Sequence, residues 1–429
     1  MSDRSSLQAS EQGFTPVDLG EIAHIEMGQS PDSRYVFEDP FLGRPFLQGN
    51  AEFGTVSPEP KYSCTRPAKT AKPGDVLISV RAPVGAVNIA DQSYCIGRGL
   101  AAISVSGVEP SLAAHLICSQ AAALRRVAQG TTFEAISKKD LVALKLRMPP
   151  QDELPVIAQI LDTLDTTIRE TEALIDKLKA VKQGLLHDLL TRGIDANGQL
   201  RPPQSEAPQL YKESPLGWIP REWDVQSLDN ITATPICYGI VQVLDYVPSG
   251  VPVLAIRDLL GDYVTGIHRT ASSIDAAYPR SRVKPGDVLL SIKGTIGRIG
   301  VLPPHFFGNI SRDIALIRPT SAIRSQFLAQ MLRSPIGQAI IKQAQVGTTR
   351  AEISIAPLRK LEIAFPDVRE QVRIEEILES ADIRLADEQA KLDKLKSQKI
   401  GLMDDLLTGR VRVTPLLESV QQAAAQTGA

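Results

Sequence analysis

The segment DKLKAVKQGLLHDLLT (Asp176–Thr191) returns as DKLKSQKIGLMDDLLT (Asp393–Thr408), with 11 of 16 positions identical. The same offset, about 217 residues, carries GTTFEAIS (Gly130–Ser137) onto GTTRAEIS (Gly347–Ser354). Further upstream KPGDVLISV (Lys72–Val80) returns as KPGDVLLSI (Lys284–Ile292) at a slightly smaller offset, so one copy holds small insertions. Solenoid units run about 20–50 residues. A repeat this much longer is a whole domain plus a long element, made twice. Two similar surfaces on one chain suit a target that itself has two halves.

Working outward from that stretch, apolar residues recur at spacings of three, four and seven. In the first copy they are Ile157, Ile160, Leu164, Ile168, Ile175, Leu178, Leu185 and Leu189. In the second they are Ile374, Ile377, Ala381, Leu385, Leu392, Leu395, Leu402 and Leu406. Each set predicts a helix of roughly 35–40 residues with one narrow apolar seam. A helix that long with a single stripe needs a partner, and the other copy is the expected one. Upstream of each helix, short apolar runs such as VLISV (Val76–Val80) and LAAISV (Leu100–Val105) alternate with Gly and Pro and read as strands. The Ala-rich stretch Ser111–Gln129 has helical spacing. The fold class expected is therefore α+β: two similar globular domains joined by two long antiparallel helices, in an internal pseudo-twofold repeat.

The boundaries expected are a first globular domain over 1–150, a long helix over 151–193 and a linker over 194–217. A second globular domain over 218–366, a second helix over 367–410 and a tail over 411–429 complete the chain. The linker assignment rests on composition, since ANGQLRPPQSEAPQ is rich in Gly, Pro and polar residues. The tail, ending VQQAAAQTGA, is expected to fray.

Charge is nearly balanced, with 47 Lys and Arg against 49 Asp and Glu. That argues against a protein that coats nucleic acid by charge alone. The distribution favours the globular parts: residues 206–366 hold 17 bases and 13 acids, while each long helix has about three more acids than bases. Four scattered cysteines without CxxC spacing fit a reduced, cytoplasmic protein. No long apolar run or leader-like N-terminus is present, so no membrane association is expected. Glycine-rich cofactor loops, a Walker A pattern and an Asn/Asp-Pro-Pro-aromatic base-holding motif are all absent from the sequence. The five histidines have no ligand spacing, and His187 aligns with Asp404 in the repeat. No metal, cofactor or catalytic residue is expected; the chain binds and arranges.

Several motifs together resemble the specificity subunit of type I restriction–modification systems. They are SPLGWIPREWDV (Ser214–Val225), the paired GDVLISV and GDVLLSI, GTT-x-x-x-IS before each helix, and GLLHDLLTRG and GLMDDLLTGR at the helix ends. The first unit departs from the pattern by opening with FTPVDLG (Phe14–Gly20). The resemblance spans about Leu19 to Val413 and implies two target-recognition domains, each reading one half of a split, asymmetric DNA sequence. It implies helices that set the distance between the half-sites. Its implied partners are double-stranded DNA, two modification (methyltransferase) subunits and two ATP-dependent restriction subunits. It implies no catalysis by the chain itself.

Candidate DNA-contacting residues follow from chemistry, because Arg reads guanine and polar groups hold phosphates. In the first unit they are Arg81, Arg98, Thr131 and Thr132. In the second they are Lys293, Arg298, Arg312, Thr348, Thr349 and Arg350. Arg81 and Lys293 follow the same repeated strand, and Arg98 aligns with Arg312. Tyr238, Gly239 and Ile240 are a further loop candidate, and an ordinary edge-strand turn explains them equally well. The competing reading of each cation is solvated surface, and of Gly-Thr-Thr a capped turn. The rival functional reading is a bivalent coiled-coil adaptor that binds proteins only; it needs no pair of globular units with Arg-bearing loops.

Overall fold

A computed structural model of the chain describes residues 13–129, 134–345 and 352–416. The chain divides into two compact units, residues 1–173 with 389–429, and residues 174–388.

In unit 1 the strands that matter are β1 (Ala23–Met27), β2 (Arg44–Leu47), β3 (Tyr62–Cys64), β4 (Val76–Ser79), β5 (Val87–Ile89), β6 (Tyr94–Ile96) and β7 (Leu100–Val105). One antiparallel sheet has the order β1-β7-β4-β5. A second places β2 between β3 and β6, with β2 parallel to β6. All four residues of β4 are buried. Side chains alternate across a strand. Val76 and Ile78 therefore join the core under the helices, with Leu112 and Leu116. Leu77 joins the core against the second sheet, with Leu47 and Ile96. A strand covered on both faces reads as an unbroken apolar run, which is why VLIS shows no alternation. The Ala-rich stretch forms two helices, Pro110–Ser119 and Ala121–Gln129.

Unit 2 repeats the plan. Its strands are β8 (Cys237–Tyr238), β9 (Val251–Leu254), β10 (His268–Thr270), β11 (Val288–Ser291), β12 (Ile299–Val301), β13 (Asn309–Ile310) and β14 (Ile314–Ile317). The order β8-β14-β11-β12 mirrors the first sheet of unit 1 strand for strand, and β9 lies parallel to β13 as β2 does to β6. Val288 and Leu290 face one core and Leu289 the other. The repeated KPGD is a turn that launches β4 and β11. Asp75 and Asp287 accept hydrogen bonds from the amides of Lys72 and Lys284, at 2.7 and 2.6 Å. Gly74 and Gly286 sit at φ +86° and +81°, where a side chain would be strained.

The long helices are α1 (Leu154–Thr191, 38 residues) and α2 (Val368–Thr408, 41 residues). Within unit 1, Asp165 pairs with Lys399, and Glu172 with Lys396 at 2.8 Å. Residue numbers rise on one helix as they fall on the other, so the segments run antiparallel. Leu154, Ile157 and Leu161 share a core with Leu402, Leu406 and Leu407. Within unit 2, Lys182 pairs with Asp382. There Leu185, Leu189 and Leu190 share a core with Ile374 and Leu378.

Two segments differ from their compositional reading. The stretch expected as a linker over 194–217 is folded. Ile194 bridges Leu200, Tyr211–Ser214 pairs with Gly217–Pro220 as a hairpin, and Arg201 is 6% exposed. Proline and polar residues here satisfy turns and a buried ion pair, a use that composition does not distinguish from a flexible connection. At the start of the tail, Val413 is buried and Arg412 and Thr414 both donate to Glu153 in unit 1. The residues after 416, including VQQAAAQTGA, lie outside the described part.

Glu153 gives unit 1 a pH dependence. Burial alone would raise its pKa, but the Arg412 and Thr414 hydrogen bonds outweigh that and hold the carboxyl below its usual range. A depressed carboxylate stabilises the fold above its unfolded pKa, about 4.3, and loses that contribution as pH falls through the folded value. Glu153→Gln should therefore cost stability at pH 7, and the gap from the native chain should narrow below about pH 4.3. Urea midpoints of both proteins across pH 3–7 check this; a constant gap would refute it.

Candidate nucleic-acid interface

The repeated strand ends build the same local frame in each unit. In unit 1 the amide of Val80 donates to Gly99 O at 2.9 Å, and that of Ile136 to Val80 O at 3.0 Å. Arg81, bridged to Ala135, thus lies at the strand end beside Arg98, and both are exposed. In unit 2 the amide of Ile292 donates to Asp313 O at 2.8 Å, and that of Ile353 to Ile292 O at 2.9 Å. Lys293, bridged to Glu352, thus lies beside Arg312. The structural register matches Arg81 to Lys293 and Arg98 to Arg312, as the sequence repeat predicts.

Unit 2 gathers its pair into an open cleft of about 390 Å³, which Tyr238, Val241, Lys293, Arg312 and Glu352 help to line. Lys293 Nζ lies 3.0 Å from Glu352 Oε2, and Arg312 Nε 3.6 Å from Asp313 Oδ1, with the Lys293 and Arg312 side chains 40% and 54% exposed. Pairs this exposed contribute about 0–1 kcal/mol, so a phosphate or a guanine edge can displace the acids at small cost. The backbone here is fixed, while the side chains are held only by these exposed pairs. The amide of Arg312 donates to Ile240 O at 2.9 Å, and that of Ile240 to Ile310 O at 2.8 Å. A Cβ on Gly239 would come within 1.8 Å of Ile310 O, so only glycine lets this loop lie so close to β13.

Tyr238, 52% exposed, also lines a second opening of about 580 Å³ that contains Tyr278, Arg280 and Arg359. The two openings adjoin at Tyr238 and Ile355, which line both; in this groove Lys293 and Arg312 line one part and Arg280 and Arg359 the other.

Among the other expected contacts, Arg298 is not part of this groove. Its amide donates to Ser291 Oγ at 2.8 Å in the β11–β12 turn, and its counterpart in unit 1 is Ala86, which donates to Ser79 Oγ. Thr131, Thr132, Thr348, Thr349 and Arg350 lie outside the described residues. Arg280 and Arg359 escaped the sequence reading because neither sits in a repeated motif. Trp223 is buried edge-on against Phe327 at 6.5 Å; Trp218 is half exposed. His187 is an exposed helical residue. Among the described residues no group of His, Cys, Asp and Glu is placed to hold a metal ion. Burial pushes the Cys237 thiol up, away from nucleophilic chemistry. No helix among the described residues is long and apolar enough to cross a membrane.

Each of the two α+β units thus carries a pair of basic residues at matched strand ends. The family model for the type I restriction modification DNA specificity domain matches residues 11–180 and 251–397. The chain belongs to that family. It is 36% identical over 198 residues to a putative type I restriction enzyme MjaX specificity subunit of Methanocaldococcus jannaschii, covering 44% of this chain and 46% of that protein. It is 27% identical over 277 residues to the type I restriction enzyme EcoBI specificity subunit of Escherichia coli, covering 62% and 58%. The matched stretches thus span about half of each relative's length. Among solved structures, the S subunit of a type I restriction-modification system from M. genitalium aligns over 92% of this chain and 96% of its own, with TM-score 0.54 and 16% identity. A chain from a study of type I R-M complex assembly and conformational transition aligns over 92% and 97%, with TM-score 0.59 and 18% identity. These structural likenesses concern the fold.

Proposed function

We propose that the chain is the sequence-reading subunit of a type I restriction–modification complex and recognises a split, asymmetric duplex DNA target. The observation that carries this reading is the matched pair of basic strand ends, Arg81 with Arg98 and Lys293 with Arg312, on two copies of one frame. Residues 1–150 and 218–366 are the two target-recognition domains in this reading. The two copies share the frame and differ around it, which suits two different half-sites. Two modification subunits and two ATP-dependent restriction subunits are the partners, and the complex works in the cytoplasm. The chain contributes no catalysis. A protein-only adaptor leaves the groove around Tyr238 without a purpose.

Purified alone, the chain should transfer no methyl group and hold DNA weakly, since a net charge of −2 supplies little counterion-release affinity. With its modification subunit it should bind tightly and methylate one bipartite sequence, read out by mapping methylated adenines. Methyl transfer by the chain alone, or equal DNA affinity with and without the partner, would overturn this.

A further inference from the structure

We propose that unit 2 holds a second DNA site, a phosphate-binding cavity beside β10 that extends the contact with its half-site along the strand backbone. The inference rests on the DNA-reading function above. The cavity has a volume of about 650 Å³, and its lining includes Arg257, Arg269, His268 and His305 but no carboxylate residue. Two guanidinium groups and two imidazoles face one concavity, and Asp258 beside Arg257 is the acid next to them, an arrangement that suits an anion. The arginines are weakly engaged. Arg269 Nη1 donates to Gly250 O at 3.3 Å, and Arg257 Nε lies 3.5 Å from Asp258 while its side chain is 70% exposed. His268 Nε2 is buried without a hydrogen-bond partner.

The walls suit a nucleotide rather than a bare ion. Tyr246 meets His268 edge-on at 5.7 Å, and Tyr263 meets Phe306 at 6.0 Å. Phe307 stands at the cavity 75% exposed, an apolar ring available to a sugar or base. One short span ties this cavity to the groove already described: Tyr238 and Val241 line the groove, and Tyr246 lines the cavity. Val241, Leu244 and Tyr246 are exposed between them.

The site is specific to unit 2. Phe46 pairs with Tyr62 and Cys95 as Val253 pairs with His268 and Asn309. Tyr62 and Ser63 therefore occupy the positions of His268 and Arg269. The half-site read by unit 2 should have the longer backbone contact.

The test uses the chain in complex with its modification subunits, on a duplex carrying the mapped target. The double variant Arg257→Gln/Arg269→Gln should weaken binding about tenfold or more at low salt, alike on target and non-target duplex. The slope of log K against log salt should become shallower by about two, and the methylated sequence should stay the same. Arg257→Lys/Arg269→Lys should restore the slope, and Phe307→Ser should weaken binding without changing it. Unchanged affinity and slope in the Gln variant, while Arg312→Ala still loses one half-site, would overturn the cavity and leave DNA reading intact. Weaker assembly with the modification subunits in the absence of DNA would instead make the cavity a protein contact, and would also overturn it. Binding of inorganic phosphate or free nucleotide as tight as that of duplex would make it a small-anion site and overturn the DNA assignment. If the native complex binds no DNA, the functional reading itself fails.

Discussion

Glu370→Ala should cost unit 2 about 3–5 kcal/mol of folding free energy. The carboxylate of Glu370 accepts from Arg201 Nη1 at 2.6 Å and Nη2 at 3.0 Å, from the amide of Ile194 at 2.9 Å and from Trp223 Nε1 at 3.2 Å. Burial works against the Arg201 charge, and its pKa is nevertheless raised because the hydrogen bonds to Glu370 and Glu222 overcome that burial. Removing Glu370 leaves a guanidinium 6% exposed with one remaining carboxylate, Glu222, itself 77% exposed. It also strands the Ile194 amide and the indole N–H. Breaking one partner of a buried pair costs far more than the pair contributes net, because the surviving charge stays desolvated. Glu222→Ala should cost under about 1 kcal/mol by comparison. Both tryptophans of the chain, Trp218 and Trp223, lie in unit 2, so fluorescence in urea reports this unit. A loss below about 1 kcal/mol for Glu370→Ala would show that Arg201 finds water or another acid.

The contrast between Glu370 and the strand VLLS indicates what was legible in the sequence. The long helices announced themselves because a seam at spacings of three and four is a local, periodic signal. The repeated KPGD-VL strand was legible because it occurs twice. Glu370 and its repeat counterpart Glu153 carried no such mark. Each matters through an arginine from the segment that follows the other long helix's C-terminus, Arg201 and Arg412. Those arginines are 169 and 259 residues distant, and no periodicity encodes such a pairing. For the same reason the stretch containing Arg201 read as a linker.

The candidate site was legible to the same degree as the repeat. Lys293 and Arg312 were found because matched positions in two copies narrow a crowded field of surface cations. Arg298 was drawn in by sharing the same turn, yet its counterpart is an alanine and it stands apart from the groove. Arg280 and Arg359 come from a 3-10 turn (Pro279–Ser281) and a short helix (Ile355–Arg359) with no repeated motif, and only the fold brings them to Tyr238. Divergence is what two different half-sites require. Under the proposed reading, positions that differ between the two copies are candidates an internal repeat does not point out.

Arg312→Ala should weaken recognition of one half-site and spare the other. The Arg312 backbone is held by its hydrogen bond to Ile240, while its side chain is 54% exposed and carries one weak ion pair, to Asp313 at 3.6 Å. The fold therefore does not depend on the guanidinium, and its loss should leave the urea midpoint within about 0.5 kcal/mol of native. A bidentate contact from arginine to a guanine edge is worth about 1–3 kcal/mol, or roughly 5- to 150-fold in affinity. In complex with the modification subunits, the variant should lose that factor on the full target. It should match the native complex on a duplex whose second half-site is already scrambled. Arg312→Lys distinguishes geometry from charge. An ammonium keeps the charge but lacks the planar fork, so it should retain non-specific affinity and lose the half-site preference. An equal loss on every duplex would identify Arg312 as a phosphate contact, and no loss on any duplex would return it to solvated surface.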